Sequence, residues 1–370
     1  MTQVILEALT LQRKLYGKKK ANPEVARSLD NLGHSYLIEG KFDDARRLFE
    51  RALAIRTTAL GPDHAAVGTS YNSLGALHAT REDHATAERY YLKSLALEEK
   101  AYGPSSVRLT RLLGNLALSL NAQGKRAQAV ELFERVIALR EAAHGPDHPE
   151  LAAPLMNLGI ARQWQRRPDD AIALYRRAAR IAEKAYGPDH PDVADALGNV
   201  STVLQEQHKL DEARPLAERV LRIFERAYGP DHPRVGMGLV NLGGLQFEGG
   251  DHAGALASFQ KSTAIFEAKL GKDHIFVSYA LRGIGGCLVK LRRTSEALPH
   301  LERASRIRAA SGSPTVVISE VRAGLSELLA RDPRTRAREL ADARASAAKY
   351  EQDGDAPIAA ELRRWLDRHR

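Results

Sequence analysis

Six glycines, Gly61, Gly103, Gly145, Gly187, Gly229 and Gly271, stand 42 residues apart. Most open the phrase G-P-D-H-P, and the copies at Gly103 and Gly271 read G-P-S-S and G-K-D-H. A period of this size describes an array of stacked helix-turn-helix units, because a unit so short buries its apolar face only against its neighbours. Stacked units share one continuous core. The expectation is therefore a single repeat domain over residues 1–370, not the two or three globular domains that length alone suggests.

Numbering each unit from its glycine as zero brings the columns into register. Position 26 is alanine throughout: Ala87, Ala129, Ala171, Ala213, Ala255 and Ala297. An earlier unit near Gly17, with two extra linker residues, supplies Ala45. Position 13 is aliphatic (Leu32, Leu74, Leu116, Leu158, Val200, Leu242, Ile284), and position 14 is small (Gly33, Gly75, Ala117, Gly159, Ser201, Gly243, Gly285). Position 30 is large and apolar in every unit except at Ala217. Two helices approach closely only where small side chains meet, and larger ones fill the flanks. In the second unit this spacing predicts helix A over 66–80 and helix B over 84–101.

The linker punctuates. Glycine is expected to end helix B in the left-handed region, and the proline after it stops the helix. Asp or His can cap the next helix, whose first turn suits the second proline. Asp147 and Glu150 have capping-box spacing. Residues 1–16 match a helix B without its helix A, so the chain is expected to be a fragment of a longer protein. Seven 42-residue-type units fill 17–311, a degenerate eighth spans 312–352, and a polar capping helix with Trp365 on its inner face spans 353–370.

A leucine-glycine pair, an alanine twelve residues after the glycine and an aromatic four further on, as in Leu158-Gly159, Ala171 and Tyr175, resemble the tetratricopeptide repeat. The 42-residue period, the G-P-D-H-P linker and the N-L-G signature look like the kinesin-light-chain subtype. The resemblance covers nearly the whole chain. It implies an all-α, right-handed α-solenoid of about eight repeats that serves as a protein-binding scaffold. Residues 319–369, with A-R-E-L-A-D-A-R and A-E-L-R-R-W-L, are similar to the tails of bacterial serine/threonine kinases bearing such repeats. That likeness implies a sensor or scaffold portion of a larger signalling protein, with an enzymatic domain attached covalently; no kinase motif occurs here.

The same resemblance turns position 12 of helix A toward a concave groove. There Asn31, Asn115, Asn157, Asn199 and Asn241 form a ladder, and an amide both donates and accepts, as pairing with a peptide backbone requires. The competing reading has each asparagine bond across to the neighbouring repeat and set the pitch. Positions 8, 11, 15 and 19 form a helical stripe beside the ladder. They supply Arg27, Asp30, His34, Asn72 and Arg111 early, the apolar row Met156, Ile160 and Trp164 in the fourth full unit, and Arg282 late. Gly114, Gly198 and Gly244 leave hollows, and an exposed Trp beside a hollow is what a binding hot spot needs. Packing of Trp164 on helix B is the bland alternative.

Chemistry is sparse. His64, His148, His190, His232 and His274 recur at one linker position, yet packed helices stand roughly 8–10 Å apart. Zinc holds nitrogens at about 2 Å, so consecutive linkers do not share an ion. Ser258 and Lys261 match S-x-x-K without partner motifs, and no H-E-x-x-H, G-x-S-x-G or Walker sequence is present. The single cysteine, Cys287, excludes an internal disulfide and suits a reducing compartment. No export signal or membrane span is evident, and a cytoplasmic protein is expected.

The net charge is +9. Residues 1–60 carry 11 Lys/Arg against 7 Asp/Glu, whereas 61–289 carry 27 against 27. Lys18, Lys19 and Lys20 form one basic tip, and Arg331, Arg334, Arg336 and Arg338 a second cluster. A nucleic-acid binder more often concentrates its charge on one stripe. The expected function is thus a non-catalytic scaffold binding a peptide or partner domain in its groove, without cofactor, metal or membrane. Binding of nucleic acid or another acidic polymer is the alternative.

Overall fold

The computed structural model describes residues 22–291 and 293–311, with helical positions 344, 348, 363 and 367 beyond them. The helix expected over 1–16, the degenerate unit at 312–352, the capping helix at 353–370 and both basic clusters lie outside the described residues, the four positions apart. The chain divides into two compact units, Met1–Gly187 and Pro188–Arg370. The first holds four helix pairs: α1 (Pro23–Ile38) with α2 (Phe42–Leu60), α3 (Ala65–Thr80) with α4 (His84–Tyr102), α5 (Thr110–Ala122) with α6 (Arg126–His144), and α7 (Ala152–Trp164) with α8 (Pro168–Tyr186). The second holds three: α9 (Pro191–Glu206) with α10 (Leu210–Tyr228), α11 (Pro233–Glu248) with α12 (His252–Leu270), and α13 (Ile275–Lys290) with α14 (Thr294–Ala310). Short 3-10 turns, Val107–Leu109 and Pro149–Leu151, lead into α5 and α7. Among the described residues there is no strand.

Each pair closes on the columns read from the sequence. The position-26 alanines of all seven pairs have no exposed surface. At position 14 a missing Cβ receives a ring from helix B. A Cβ on Gly33 would meet Phe49 Cε1 at 2.5 Å, one on Gly75 would meet Tyr91 Cε1 at 2.5 Å, and one on Gly159 would run into Tyr175. In the second unit Gly243 faces Phe259 in the same way, at 3.0 Å. The third pair keeps a Cβ at this position, on Ala117, and in the seventh Gly285 faces Leu301 rather than a ring; the fifth pair departs at both positions. Where Ala217 replaces the ring, Ser201 occupies position 14 and its Oγ donates to the Ala213 carbonyl at 3.0 Å.

The turns are more demanding than the sequence suggests. Linker glycines adopt φ near +90° but an extended ψ, as at Gly61 (φ 87°, ψ 157°), so they lie outside the expected left-handed cap region. This corner of backbone space is almost exclusive to glycine. The left-handed residue sits instead between the helices of a pair. There the Schellman bond of the first pair runs from Lys41 N to Tyr36 O at 2.8 Å. Glycine fills that position in some pairs, but Glu82 (φ 62°), Arg166 (φ 61°) and His208 (φ 58°) fill it in others.

The linker histidines are N-caps. Nδ1 of His64 accepts from Ala66 N at 3.1 Å, that of His190 from Asp192 N at 3.2 Å, and that of His274 from Phe276 N at 3.2 Å. His148 and His232 do the same, which assigns the Nε2–H tautomer to each neutral ring. The capping box expected from Asp147 and Glu150 is not made. Asp147 pairs with Lys184 at 2.7 Å, as Asp63 does with Lys100 at 3.3 Å and Asp189 with Arg226 at 2.6 Å.

A second clamp recurs at position 32. Arg135 donates to Glu99 Oε1 at 2.5 Å and to the Pro104 carbonyl at 2.7 Å. Arg177 engages Glu141 and the Pro146 carbonyl, and Arg303 engages Glu267 and the Lys272 carbonyl. One guanidinium thus ties a helix B to both its predecessor and the linker between them. Lys261 stands at the same position and bonds Glu225 at 3.3 Å.

Arg166 is exposed and strained by a positive φ that disfavours any side chain by roughly 1–2 kcal/mol. Arg166→Gly should therefore raise the stability by about 0.5–1 kcal/mol, net of glycine's entropy cost. Urea unfolding followed by circular dichroism measures this, and an unchanged or lower midpoint would show the strain to be unimportant.

Candidate functional site

Within each unit the first helices of successive pairs touch one another: α1–α3–α5–α7 in the first unit and α9–α11–α13 in the second. The stripe at positions 8, 11, 12, 15 and 19 lies on these helices. In the first unit it changes character along its length.

Its α1–α3 end is polar to the core. Asp30 and Arg56 form an ion pair with both side chains 7% exposed, and Arg56 also donates to Ser70 Oγ at 2.5 Å. Burial outweighs the arginine's pull and pushes the Asp30 carboxyl up to about 6. Glu98 is also buried, and desolvation raises it in spite of the hydrogen bond from Ser94 Oγ. Burial, and then the Arg111 charge, lowers His34, whose Nε2 lies 3.3 Å from Ser73 Oγ. Position 37 is Arg56, Glu98 and Arg140 in the first three pairs, Ala182, Phe224 and Phe266 in the next three, and Arg308 in the seventh.

The α5–α7 end is apolar and open. Trp164 is 58% exposed, Leu118 48% and Ile160 38%, with Met156 half-buried beside them. The Trp164 ring has a charged neighbour. The guanidinium of Arg126, at the start of α6, lies 5.0 Å from its ring centroid, a cation–π contact that leaves much of the ring exposed.

The asparagine column divides between the two readings given for it. Asn115 Nδ2 donates to Asn72 Oδ1 at 3.2 Å, joining α5 to α3, so this member bonds across repeats. Asn72 itself is 1% exposed. Asn31 is exposed and Asn157 half-buried, and neither side chain makes a hydrogen bond among the described residues. Arg27 is exposed and pairs with Glu24 at 2.6 Å. Arg111 is exposed on α5.

In the second unit Asn199 is half-buried, and Asn241 and Arg282 are exposed. There Arg234 pairs with Asp195 at 2.6 Å and Gln205 donates to Glu248 at 2.5 Å. Leu118 and Arg126 were legible in principle, from position 15 of the third unit and the start of its helix B. The buried Asp30–Arg56 pair had no sequence signal, because its two halves lie on different helices.

Ser258 bonds Gln246 at 2.7 Å and Lys261 bonds Glu225 at 3.3 Å, so these two residues serve packing rather than each other. Cys287 is buried, which pushes its thiol up to about 11 and leaves it unreactive. Among the described residues no group of three or more His, Cys, Asp or Glu could hold a metal ion, and no helix is long and apolar enough to cross a membrane.

Tetratricopeptide-repeat family models match residues 24–100, 109–150, 150–226, 192–268 and 238–310. The chain therefore belongs to the tetratricopeptide-repeat family. No curated protein matches it. Among solved structures it is similar to BtubC (BKLC) from P. vanneervenii, with 22% identity over 63% of this chain and 92% of that one, at a TM-score of 0.54. It is also similar to the nearly identical TPR-like repeats of a Podosopora anserina protein assigned as a kinesin light chain, with 23% identity over 56% and 98%, at a TM-score of 0.50. The apo form of RapI matches over 93% of this chain and 97% of its own, at 12% identity and a TM-score of 0.64. At these identities the likeness is one of fold.

The Asp30 carboxyl gives a pH prediction. Its folded value of about 6 exceeds its ordinary 3.8, so between these values the folded state binds more protons than the unfolded. Its contribution to stability is full below about pH 4 and is lost as pH rises through 6, a change of roughly 3 kcal/mol. The difference in unfolding free energy between the wild type and Asp30→Asn should therefore shift across pH 4–6. A pH-independent difference would show that Arg56 compensates the carboxylate fully.

Proposed function

We propose that the chain is a non-catalytic scaffold that binds an extended peptide or partner segment on the inner face of its first unit. The observation that carries this is the open apolar row of Leu118, Ile160 and Trp164 on helices whose other faces are packed. Nothing described in the fold requires three large apolar side chains to stand in water there. A rigid, preformed surface lowers the ordering cost of association, which favours a ligand that is itself extended. Asn31 and Asn157, whose amides are otherwise uncommitted, would pair with its backbone. In the second unit Asn199 and Asn241 supply equivalent groups. A structure titled as a Rap protein complexed with competence and sporulation factor has this fold at 13% identity and a TM-score of 0.53, a precedent for ligand binding by such arrays.

The acidic-polymer alternative is less well supported. Arg135, Arg177 and Arg303 are committed to carboxylates and linker carbonyls, and Lys100, Lys184 and Arg226 to linker aspartates.

Peptides selected on the full chain from a random displayed library provide the test. Trp164→Ala should weaken the selected peptides about thirtyfold, the loss of a central aromatic anchor, with an unchanged thermal midpoint. Undiminished affinity would remove the apolar row from the site. Binding dominated by polyanions, with affinity falling steeply between low and physiological salt, would favour the polymer reading.

A further inference from the structure

Five seams between successive helix pairs lie within the two units, and four of them carry the edge clamp. A basic residue at position 32 reaches back to the glutamate at position 38 of the preceding helix B: Arg135 to Glu99, Arg177 to Glu141, Lys261 to Glu225 and Arg303 to Glu267. The first seam, between the pair α1–α2 and the pair α3–α4, has Thr57 in place of the glutamate and Lys93 in place of the arginine. Lys93 turns within its own pair, its Nζ 5.5 Å from the ring centroid of Tyr71 and 5.8 Å from that of Tyr90. The linker pair Asp63–Lys100 stands at this edge with both side chains largely exposed, and such pairs add little.

The core of the same seam is ionic. Arg56, on α2, pairs with Asp30 of α1 and donates to Ser70 Oγ of α3 at 2.5 Å, and both charged side chains are 7% exposed. The pair therefore sits where three helices meet, and a bond to a neutral hydroxyl carries it across the seam. In the second unit position 37 crosses with rings. Phe224 lies 5.4 Å from the guanidinium of Arg234 on α11, and Phe266 meets Phe276 of α13 with centroids 5.5 Å apart. Burying an ion pair removes hydration that its mutual attraction barely offsets. Apolar packing of Phe49 with Leu74 and Leu77 holds the first seam at the end away from the linker.

We infer that this seam is a switch, at which α1–α2 separates from α3–α4 as a body and ionisation of Asp30 favours the separation. Arg56 of α2 and Arg111 of α5 pull on the carboxylate. His34 of α1 and Glu98 and Tyr91 of α4 lie in the field of the same Arg111, and α3 faces the cluster with Ser70. Burial outweighs these attractions and holds the carboxyl at about 6 against an ordinary 3.8. The closed seam thus binds a proton more firmly than the open one. Its stabilisation is full below about pH 4 and is lost as pH rises through 6. Because α1 carries Arg27 and Asn31, the switch sets whether the inner-face stripe extends onto the first pair.

Hydrogen exchange of the full chain, read by peptide mass spectrometry and corrected for the intrinsic pH dependence of exchange, tests the switch. Amides of α1 and α2 should open together, roughly tenfold more often at pH 7.5 than at pH 4.5, while those of α5 and α6 stay protected at both. Asp30→Asn, a neutral mimic of the protonated carboxyl, should abolish the ratio. Thr57→Glu with Lys93→Arg installs the clamp of the other seams and should slow the opening of α1–α2 tenfold or more at pH 7.5. Equal protection of α1–α2 and α5–α6 at pH 7.5, a ratio that persists in Asp30→Asn, or an opening rate unchanged by the installed clamp would each overturn the proposal. Should Asp30→Asn fail to fold, the clamp variant, which keeps Asp30, decides alone.

Discussion

Four of the seven helix pairs depend on one contact, an aromatic ring seated where a Cβ is missing. Phe49 on Gly33, Tyr91 on Gly75, Tyr175 on Gly159 and Phe259 on Gly243 each seat a ring of helix B against the backbone of helix A. The position-26 alanine, without exposed surface in all seven pairs, keeps the other half of the contact equally thin. Close-packed interiors tolerate neither gaps nor excess at such a point. With the pair locked, the direction of every other side chain on helix A is set, including the stripe at positions 8, 11, 12, 15 and 19. At the fifth pair both columns change: the ring gives way to Ala217, and the Ser201 hydroxyl bonds the Ala213 carbonyl.

Spacing between pairs is set at the edge of the array by polar contacts. A histidine Nδ1 starts helix A, an aspartate one residue before it holds a basic group on the following helix B, and an arginine reaches back to a carboxylate and a linker carbonyl. Each such exposed pair contributes little alone. Repetition makes the geometry uniform, and the inner stripe is left free to differ from repeat to repeat. In the first unit it runs from the buried ionic pair Asp30–Arg56 to the open apolar row ending at Trp164.

The fold was legible because the small and large columns repeat seven times. The helices expected at 66–80 and 84–101 appear as Ala65–Thr80 and His84–Tyr102. What the sequence concealed was conformational or spatial. Glu82, Arg166 and His208 carry no sign that they adopt positive φ, because glycine at the equivalent position in other repeats is a preference and not a rule. Asp147 offered a plausible capping box, but the array gave it Lys184 instead. The competition was decided by a neighbour 37 residues away. Ser73 and Gly283 interrupt the asparagine column, and its members differ: Asn115 bonds Asn72 while Asn157 does not bond across. The outcome depends on whether the adjacent repeat presents an amide at position 11, and the repeat of α3 and α4, with Asn72, does so for the next one.

The ring-on-glycine contact is tested most directly by a double-mutant cycle at Gly159 and Tyr175, read as unfolding free energy in urea. Gly159→Ala should destabilise the wild type through its clash with the ring. In a Tyr175→Leu background, where the ring is gone, the same change should cost little or even stabilise the helix. The account predicts a coupling of about 1–3 kcal/mol between the two sites. Additive effects, within about 0.5 kcal/mol, would contradict it and place the close approach of the helices elsewhere.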